Sequence, residues 1–175
     1  MIPLPDLLAT RRVGAVLAQV LQGGDVVAML GDLGAGKTTL VDACVVALGG
    51  EGASSPTFAL VQEIACAATT VWHADLYRLE RADEVVELGL EELLGNPRGV
   101  SFVEWADKHQ VLPRSCLRLT LHHVGQGGEG SQGGQGSQGR DERALEIEGV
   151  GPRGRELAAA FQAALAAVVP APSAC

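Results

Sequence analysis

Residues 26–38 read VVAMLGDLGAGKT and set the architecture that we expect of this chain. The first five residues are apolar on both faces and are bounded by glycines, a pattern typical of a fully buried parallel strand. The next eight residues fit the spacing G-x-x-x-x-G-K-[ST] at every defined position. A helix is predicted to follow over residues 37–48. The stretch therefore predicts a buried strand, a glycine-rich loop and a helix in direct succession.

A glycine-rich loop in this context predicts a binding site for the phosphates of a nucleotide. Its backbone N–H groups and the positive end of the helix dipole would surround the β-phosphate. Gly31, Gly34 and Gly36 would let the backbone approach the anion without a Cβ in the way. Lys37 would reach the β- and γ-phosphates, and the hydroxyl of Thr38 would bind Mg²⁺. The alternative, a glycine-rich turn that caps an ordinary helix, rarely combines this strand, loop, Lys-Thr pair and helix.

Strands and helices alternate along the rest of the chain, which indicates an α/β protein. A length of 175 residues suits one domain, so we predict a single P-loop ATPase domain over residues 1–175. The expected fold is a P-loop NTPase-like three-layer sandwich, with a mostly parallel central sheet flanked by helices. Besides 26–30, the predicted strands are 58–64, 70–74, 100–103, 116–121 and 144–147, and the predicted helices are 6–22, 37–48, 82–88 and 155–169.

Composition and charge exclude several classes of protein. Aromatic residues make up 3% of the chain, too few for a platform that stacks single-stranded nucleic acid. The net charge of −8 also disfavours direct binding of nucleic acid. The four scattered cysteines form no C-x-x-C pair, and we interpret them as reduced thiols. With no secretory pattern and no apolar run of membrane-spanning length, we expect a soluble cytoplasmic protein without a membrane partner.

A tract of Gly, Gln and Ser with one Glu occupies residues 125–139 and holds eight of the 23 glycines. It contains no apolar residue and would lose much backbone entropy on ordering, so we predict a flexible surface insertion between two strands. A nucleotide-cradling role is the alternative. The tract disfavours it, because no helix follows and no Lys or Ser/Thr stands at a fixed offset.

Two carboxylates compete as the metal ligand that a phosphate-loop ATPase needs at the end of a neighbouring strand. Asp75 ends the strand predicted at 70–74, and Glu104 ends the strand predicted at 100–103. Parallel strands would bring both to the edge of the sheet that carries the glycine-rich loop. Spacing alone does not rank them, and for each the alternative is a solvated acid at a strand end. Together they form a plausible pair for binding metal and positioning water.

Other residues near these motifs have two interpretations each. Residues 55–57, Ser-Pro-Thr, form either a nucleotide-sensing switch segment or a plain turn before a strand. His73 is either a base or ligand, or a hydrogen-bonded histidine within a strand. Trp105 is either a core residue or an aromatic at the site. Arg78 either contacts phosphate or pairs with a nearby acid such as Glu80 or Asp83.

Five motifs in this order resemble the TsaE (YjeE) family, small bacterial P-loop ATPases required for threonylcarbamoylation of adenosine 37 in tRNA. They are GDLGAGKTTL from residue 31, SPTFALVQE from 55, HADLYRL from 73, ELGLEELL from 87 and VSFVEWADK from 100. The phosphate-loop motif alone is generic. The combination of SPT, HxDxYR and VEW is specific to the family, and the similarity extends over most of the chain.

The resemblance implies a role for each candidate site residue. It favours Glu104 over Asp75 as the ligand that holds Mg²⁺ with Thr38, and it gives Asp75 a role in hydrolysis beside the catalytic Lys37. Ser55 to Phe58, including Thr57, would correspond to a switch region. The implied nucleotide-binding residues are Gly31, Gly34, Ala35, Gly36, Lys37, Thr38, Thr39, Ser55, Thr57 and Trp105, with weaker contacts to the base from Asp6 or Leu7 and from Gly139 or Arg140.

The family also implies that the chain does not attach the threonylcarbamoyl group itself. It would bind a TsaB–TsaD assembly and hydrolyse ATP to keep that assembly turning over, while its partners capture the tRNA. Isolated hydrolysis would be slow, because the sequence offers no obvious arginine finger. The rival interpretations are a small-molecule kinase on the same fold and a nucleotide-dependent binding module with little turnover.

Overall fold

The computed structural model describes residues 1–56, 58–124 and 142–168, without the side chain of Ala82. Thr57 and the tract at 125–139 therefore lie outside the described residues. The strands are β1 (Ile2–Leu4), β2 (Val26–Leu30), β3 (Val61–Ala65), β4 (Thr70–Asp75), β5 (Gly99–Glu104), β6 (Cys116–His123) and β7 (Arg143–Val150). The helices are α1 (Leu7–Ala18), α2 (Lys37–Ala47), α3 (Ala82–Glu87), α4 (Leu90–Leu93) and α5 (Gly151–Val168).

The strands form one sheet in the order β1-β7-β6-β2-β5-β4-β3. The four central strands β6, β2, β5 and β4 are parallel to one another. The outer pairings β1–β7, β7–β6 and β4–β3 are antiparallel. The prediction of a mostly parallel sheet therefore needs correction, because three of six pairings are antiparallel and the sheet is mixed. Consecutive strands such as β3 and β4 pair through a short connection, which requires the antiparallel arrangement.

Helices cover both faces of this sheet. On one face, alternate residues such as Val27 and Met29 pack against α1, α2 and α5 in the larger hydrophobic cluster. On the other face, Ala28 and Val103 lie in a smaller cluster with Val85 of α3 and with α4. Successive side chains of a strand point to opposite faces, so the run of apolar residues in β2 serves both clusters.

Several element boundaries differ from the sequence prediction for local reasons. Helix α1 ends at Ala18, where the N–H groups of Gln19 and Val20 donate to carbonyls only three residues back, and the N–H of Gln22 then donates to the carboxylate of Asp25 at 2.8 Å. Strand β3 starts only at Val61, since Leu60 has a left-handed backbone (φ 62°). Helix α5 begins at Gly151, where a proline in the first turn costs no hydrogen bond. The short β1 and α4 escaped prediction.

Three cysteines lie in the described part of the chain, and all three are free thiols: Cys44, Cys66 and Cys116. Burial raises the pKa of Cys44 to about 12. This thiol therefore stays protonated near neutral pH, which agrees with an inert packing role. Among the described helices, none has both the length and the apolar character needed to cross a membrane.

A buried ion pair joins the start of β2 to the first turn of α5. Arg153 donates to both carboxylate oxygens of Asp25, from Nε at 2.8 Å and from Nη2 at 2.7 Å. Asp25 is only 4% exposed, whereas the side chain of Arg153 is 38% exposed. The two bonds also raise the pKa of Arg153. The pair therefore holds the last helix against the sheet at the edge opposite the glycine-rich loop.

Replacing Arg153 with methionine would leave the buried Asp25 carboxylate with the N–H of Gln22 as its remaining described donor. We expect Arg153→Met to lower the free energy of unfolding by about 2–3 kcal/mol, less than for a fully buried pair because Arg153 is partly in water. Urea denaturation followed by circular dichroism measures this. The control is Arg155→Met on the exposed side of the same helix. Equal losses in the two variants would contradict the role given to the ion pair.

Candidate functional site

The glycine-rich loop passes from the end of β2 to the start of α2 along the sheet edge formed by the ends of β5 and β4. Gly31 has φ 118°, and a Cβ built on it would lie 2.2 Å from the carbonyl oxygen of Leu121 in β6. Gly36, which precedes the first residue of α2, has φ 101°. Both positions need glycine, Gly31 for its close approach to β6 and Gly36 for its left-handed backbone. The loop therefore wraps tightly against the edge of the sheet.

Lys37 turns back into this loop. Its ammonium donates to the carbonyl oxygens of Gly31 at 2.6 Å and of Asp32 at 2.9 Å, and it lies 3.9 Å from the ring centroid of Trp105. Burial lowers the pKa of Lys37, because desolvation outweighs the opposing effect of nearby carboxylates, with Glu104 the largest. The structure thus holds a desolvated cation within the turn that the sequence predicts to bind phosphate.

Thr38 and Glu104 meet where α2 begins and β5 ends. The hydroxyl of Thr38 donates to Oε1 of Glu104 at 2.8 Å, although the two residues are 66 positions apart in sequence. Nε2 of His73 lies 2.8 Å from the same oxygen. Glu104 is 3% exposed and His73 is fully buried. The carboxylate is therefore held by side chains from two neighbouring elements.

Asp75 is the register partner of Glu104 on the neighbouring parallel strand β4. Both side chains lie on the sheet face that packs against α2, since each is two residues from the paired His73 and Phe102 of that face. The carboxylate of Asp75 accepts from the hydroxyl of Ser55 and from the N–H of Tyr77, each at 3.0 Å. The structure confirms the expectation that parallel strands place both carboxylates at one edge of the sheet.

These residues border a pocket of about 190 Å³. Trp105 has a left-handed backbone (φ 59°), and its ring lies 4.9 Å from that of Tyr77. A backbone of this kind is costly for an aromatic residue, and strained residues of this kind cluster at functional sites. The pocket is lined by Leu33, Gly34, Gly36, Lys37, Thr38, Ser55, Asp75, Tyr77, Arg78, Glu104 and Trp105.

The remaining candidates from the sequence occupy different positions. Ala35 is fully buried, and Thr39 lies half-buried in the first turn of α2. Leu7 begins α1 and is 47% exposed. It follows β1, whose Leu4 pairs with Arg143 at the edge of the sheet that carries the glycine-rich loop. Thr57, Gly139 and Arg140 lie outside the described residues.

Two residues at the site have contacts that the sequence did not predict. Arg78 pairs with neither of the acids considered for it, because its guanidinium lies 4.7 Å from the ring of Phe58 while Arg81 binds Asp83. Nη1 of Arg143 lies 3.6 Å from the position of a Cβ on Gly36. The sequence carries no local signal for Arg143, because its place beside the loop depends on the pairing of β7 with β1 and β6.

The donor set at this edge suits a magnesium ion bound together with a nucleotide. Within residues 1–56, 58–124 and 142–168, no three His, Cys, Asp or Glu side chains are grouped so that they could hold a metal alone. Mg²⁺ takes oxygen ligands and, in nucleotide sites, few of them from protein, because phosphates and water complete the shell. Thr38 and Glu104 offer two oxygens 2.8 Å apart. These residues therefore suit an ion whose other ligands are phosphate and water oxygens, and not an ion that protein side chains enclose completely.

Comparison with known proteins gives a family. The family model described as "Threonylcarbamoyl adenosine biosynthesis protein TsaE" matches residues 4–130. The chain belongs to the TsaE family. The match includes the glycine-rich loop and the strands that carry Asp75 and Glu104, so the pocket described above lies within the family region, whereas Arg143 lies beyond it.

Individual TsaE proteins give the same result. The tRNA threonylcarbamoyladenosine biosynthesis protein TsaE of Bacillus subtilis is 33% identical over 146 residues, 82% of each chain. The TsaE of Synechocystis is 42% identical over 114 residues, 63% of this chain and 72% of its own. The chain spans 61% of the TsaE of Rickettsia conorii and 62% of that of Rickettsia felis. The crystal structure of Bacillus subtilis YdiB superimposes with a TM-score of 0.68 at 25% identity and covers 92% of both chains.

Substitution of Gly31 tests whether the loop needs its close approach to β6. We expect Gly31→Ala to lower the free energy of unfolding by about 3 kcal/mol or more, because strained backbone and a clash with a backbone oxygen add together. Gly34→Ala is the matched control. It has φ 80° but no atom within 4 Å of the added Cβ, and we expect a loss of about 1–2 kcal/mol. Thermal and urea unfolding measure both, and a smaller loss at Gly31 would contradict the described packing.

Proposed function

We propose that this chain is a Mg²⁺-dependent P-loop ATPase that acts in the biosynthesis of threonylcarbamoyladenosine in tRNA. The observation that carries the proposal is the contact between Thr38 and Glu104 directly beside the glycine-rich loop. It joins the residue after the loop lysine to a carboxylate at the end of an adjacent parallel strand, the combination that a metal-assisted nucleotide site requires. The family name supports the pathway, and the mixed sheet with helices on both faces supports a P-loop NTPase-like fold.

The glycine-rich loop binds the phosphates of ATP in this proposal. Its N–H groups and the first turn of α2 provide the partial positive charge that favours an anion. Lys37 exchanges its bonds to the loop carbonyls for bonds to the β- and γ-phosphates. That exchange gains a charge-assisted partner for an ammonium that is already desolvated. Thr38 and Glu104 would hold a Mg²⁺ ion, which would neutralise charge on the phosphate oxygens.

Asp75 orients the attacking water. Its Oδ1 is fixed by the N–H of Tyr77 and its Oδ2 by the hydroxyl of Ser55, so the carboxylate has a set orientation beside Glu104. The bond to Ser55 also links the carboxylate to the segment 55–57, which gives that segment a means of responding to the nucleotide. Trp105 and Tyr77 cover the side of the pocket next to Lys37.

The proposed partner is a TsaB–TsaD assembly, which transfers the threonylcarbamoyl group while this chain hydrolyses ATP. An acidic chain with a net charge of −8 is suited to binding protein partners and leaves the tRNA to them. The basic residues near the loop and its pocket include Lys37, Arg78, Arg143 and Lys108, and the guanidinium of Arg78 packs on the ring of Phe58. We therefore expect weak intrinsic hydrolysis that the partner complex stimulates.

Removal of the loop lysine or of the water-orienting carboxylate tests this function. We expect Lys37→Ala and Asp75→Asn each to reduce partner-stimulated hydrolysis by about 10²-fold or more, because each loses one group that acts on the reacting phosphate or on water. The assay follows phosphate release and tRNA modification together in a reconstituted TsaB–TsaD system. Arg12→Ala on the exposed side of α1 and Glu92→Gln on α4 are the controls.

Different outcomes separate the rival functions. Unchanged stimulated turnover in either site variant would contradict the assignment of that residue. Transfer of the phosphoryl group to a small molecule in place of water would identify a kinase. Normal modification of tRNA without turnover of ATP would identify a nucleotide-dependent binding module.

A further inference from the structure

His73 is a fully buried polar residue next to Glu104 of the candidate site, and the proposed chemistry gives it no role. It lies in β4 in register with Phe102 of β5, and it is fully buried. Its Nε2 is 2.8 Å from Oε1 of Glu104, while its Nδ1 is buried without a hydrogen-bond partner among the described residues. A histidine that makes one bond in a core position is more costly than an aliphatic residue of similar size. The hydrogen bond to Glu104 is therefore the interaction that offsets the cost of burying this histidine.

The contact fixes the tautomer of the ring. A carboxylate accepts hydrogen bonds, so the ring nitrogen facing Glu104 carries the proton and donates. The opposite tautomer would place two acceptors 2.8 Å apart and would also bury an unsatisfied N–H at Nδ1. Each of these faults costs free energy, and the Nε2–H tautomer avoids both. His73 is thus a hydrogen-bond donor, through Nε2, to one oxygen of the carboxylate.

The same oxygen accepts the hydroxyl of Thr38. Two donors from different elements, β4 and the start of α2, therefore hold Oε1 of Glu104 and set the rotation of the carboxylate. Neither donor bonds to Oε2. When a ligand takes up the Thr38 hydroxyl, the bond to His73 is the one that continues to hold Oε1. Partners of this kind orient metal ligands and keep their geometry fixed.

We propose that His73 is a positioning residue that orients Glu104 for Mg²⁺ through its Nε2–H donor. The inference rests on the proposed function, since it gives His73 a purpose only if Glu104 binds the metal. His73 acts through Glu104 and is not itself in contact with the nucleotide. A conservative replacement that keeps a donor at the position of Nε2 should therefore restore what an apolar replacement removes.

The first experiment measures how nucleotide binding depends on the concentration of Mg²⁺. We expect His73→Leu to require about 10–100-fold more Mg²⁺ for tight binding of a non-hydrolysable ATP analogue, the range typical of lost outer partners of a metal site. Binding without Mg²⁺ should stay within about twofold of the unsubstituted chain, since the phosphate loop is unchanged. His73→Gln, whose amide nitrogen can occupy the place of Nε2, should recover most of the loss. Equal Mg²⁺ requirements in His73→Leu and the unsubstituted chain would overturn the proposal, and so would equal losses in the two variants.

The second experiment needs neither nucleotide nor metal. In ¹⁵N NMR spectra of the unsubstituted chain, we expect His73 as the Nε2–H tautomer with a slowly exchanging proton, and we expect Glu104→Gln to shift that signal. An Nδ1–H tautomer would overturn the proposal even if His73→Leu fails to fold. Absence of Mg²⁺-dependent binding in the unsubstituted chain would overturn the proposed function itself. Normal binding there, unaltered in His73→Leu, would overturn only the role of His73.

Discussion

The contact between Thr38 and Glu104 links the two parts of the molecule on which the site depends. One partner stands at the start of α2, where the glycine-rich loop ends, and the other at the end of β5. The bond of 2.8 Å joins residues that are distant in sequence, and it forms where β2 and β5 are neighbours in the sheet, in the register that pairs Met29 with Glu104. The geometry of the site therefore depends on the order of the strands in the sheet.

Other parts of the structure hold these two strands and the glycine-rich loop in place. The parallel strands β4, β5 and β2 end at one edge, where ligands bind in open α/β sheets, and β6 supports the loop through its approach to Gly31. At the opposite edge, the ion pair between Asp25 and Arg153 fixes the start of β2 and the last helix. The packed apolar layers around β2 keep the loop anchored while its polar groups face a pocket.

Local sequence signals predicted the structural features that depend on residues adjacent in the chain. Strand β2 was predicted with both of its boundaries and α2 to within one residue, because apolar pattern and glycine punctuation act locally. The loop residues and both carboxylates were found from spacing. The choice between Asp75 and Glu104 came from family resemblance, because it depends on which strand lies next to β2, a feature of the sheet order that spacing does not encode.

The contacts made by distant residues could not be predicted in the same way. The bond between His73 and Glu104 depends on strand register, and the approach of Arg143 to Gly36 depends on how β7 returns to the sheet. The antiparallel edges that make the sheet mixed are set by connection length and pairing, not by strand composition. A structure determined with a non-hydrolysable ATP analogue and Mg²⁺ tests the central claim most directly. The account predicts phosphates within the 31–38 loop and an ion bound by Thr38 and Glu104, and a nucleotide bound elsewhere, or an ion that neither residue contacts, would contradict it.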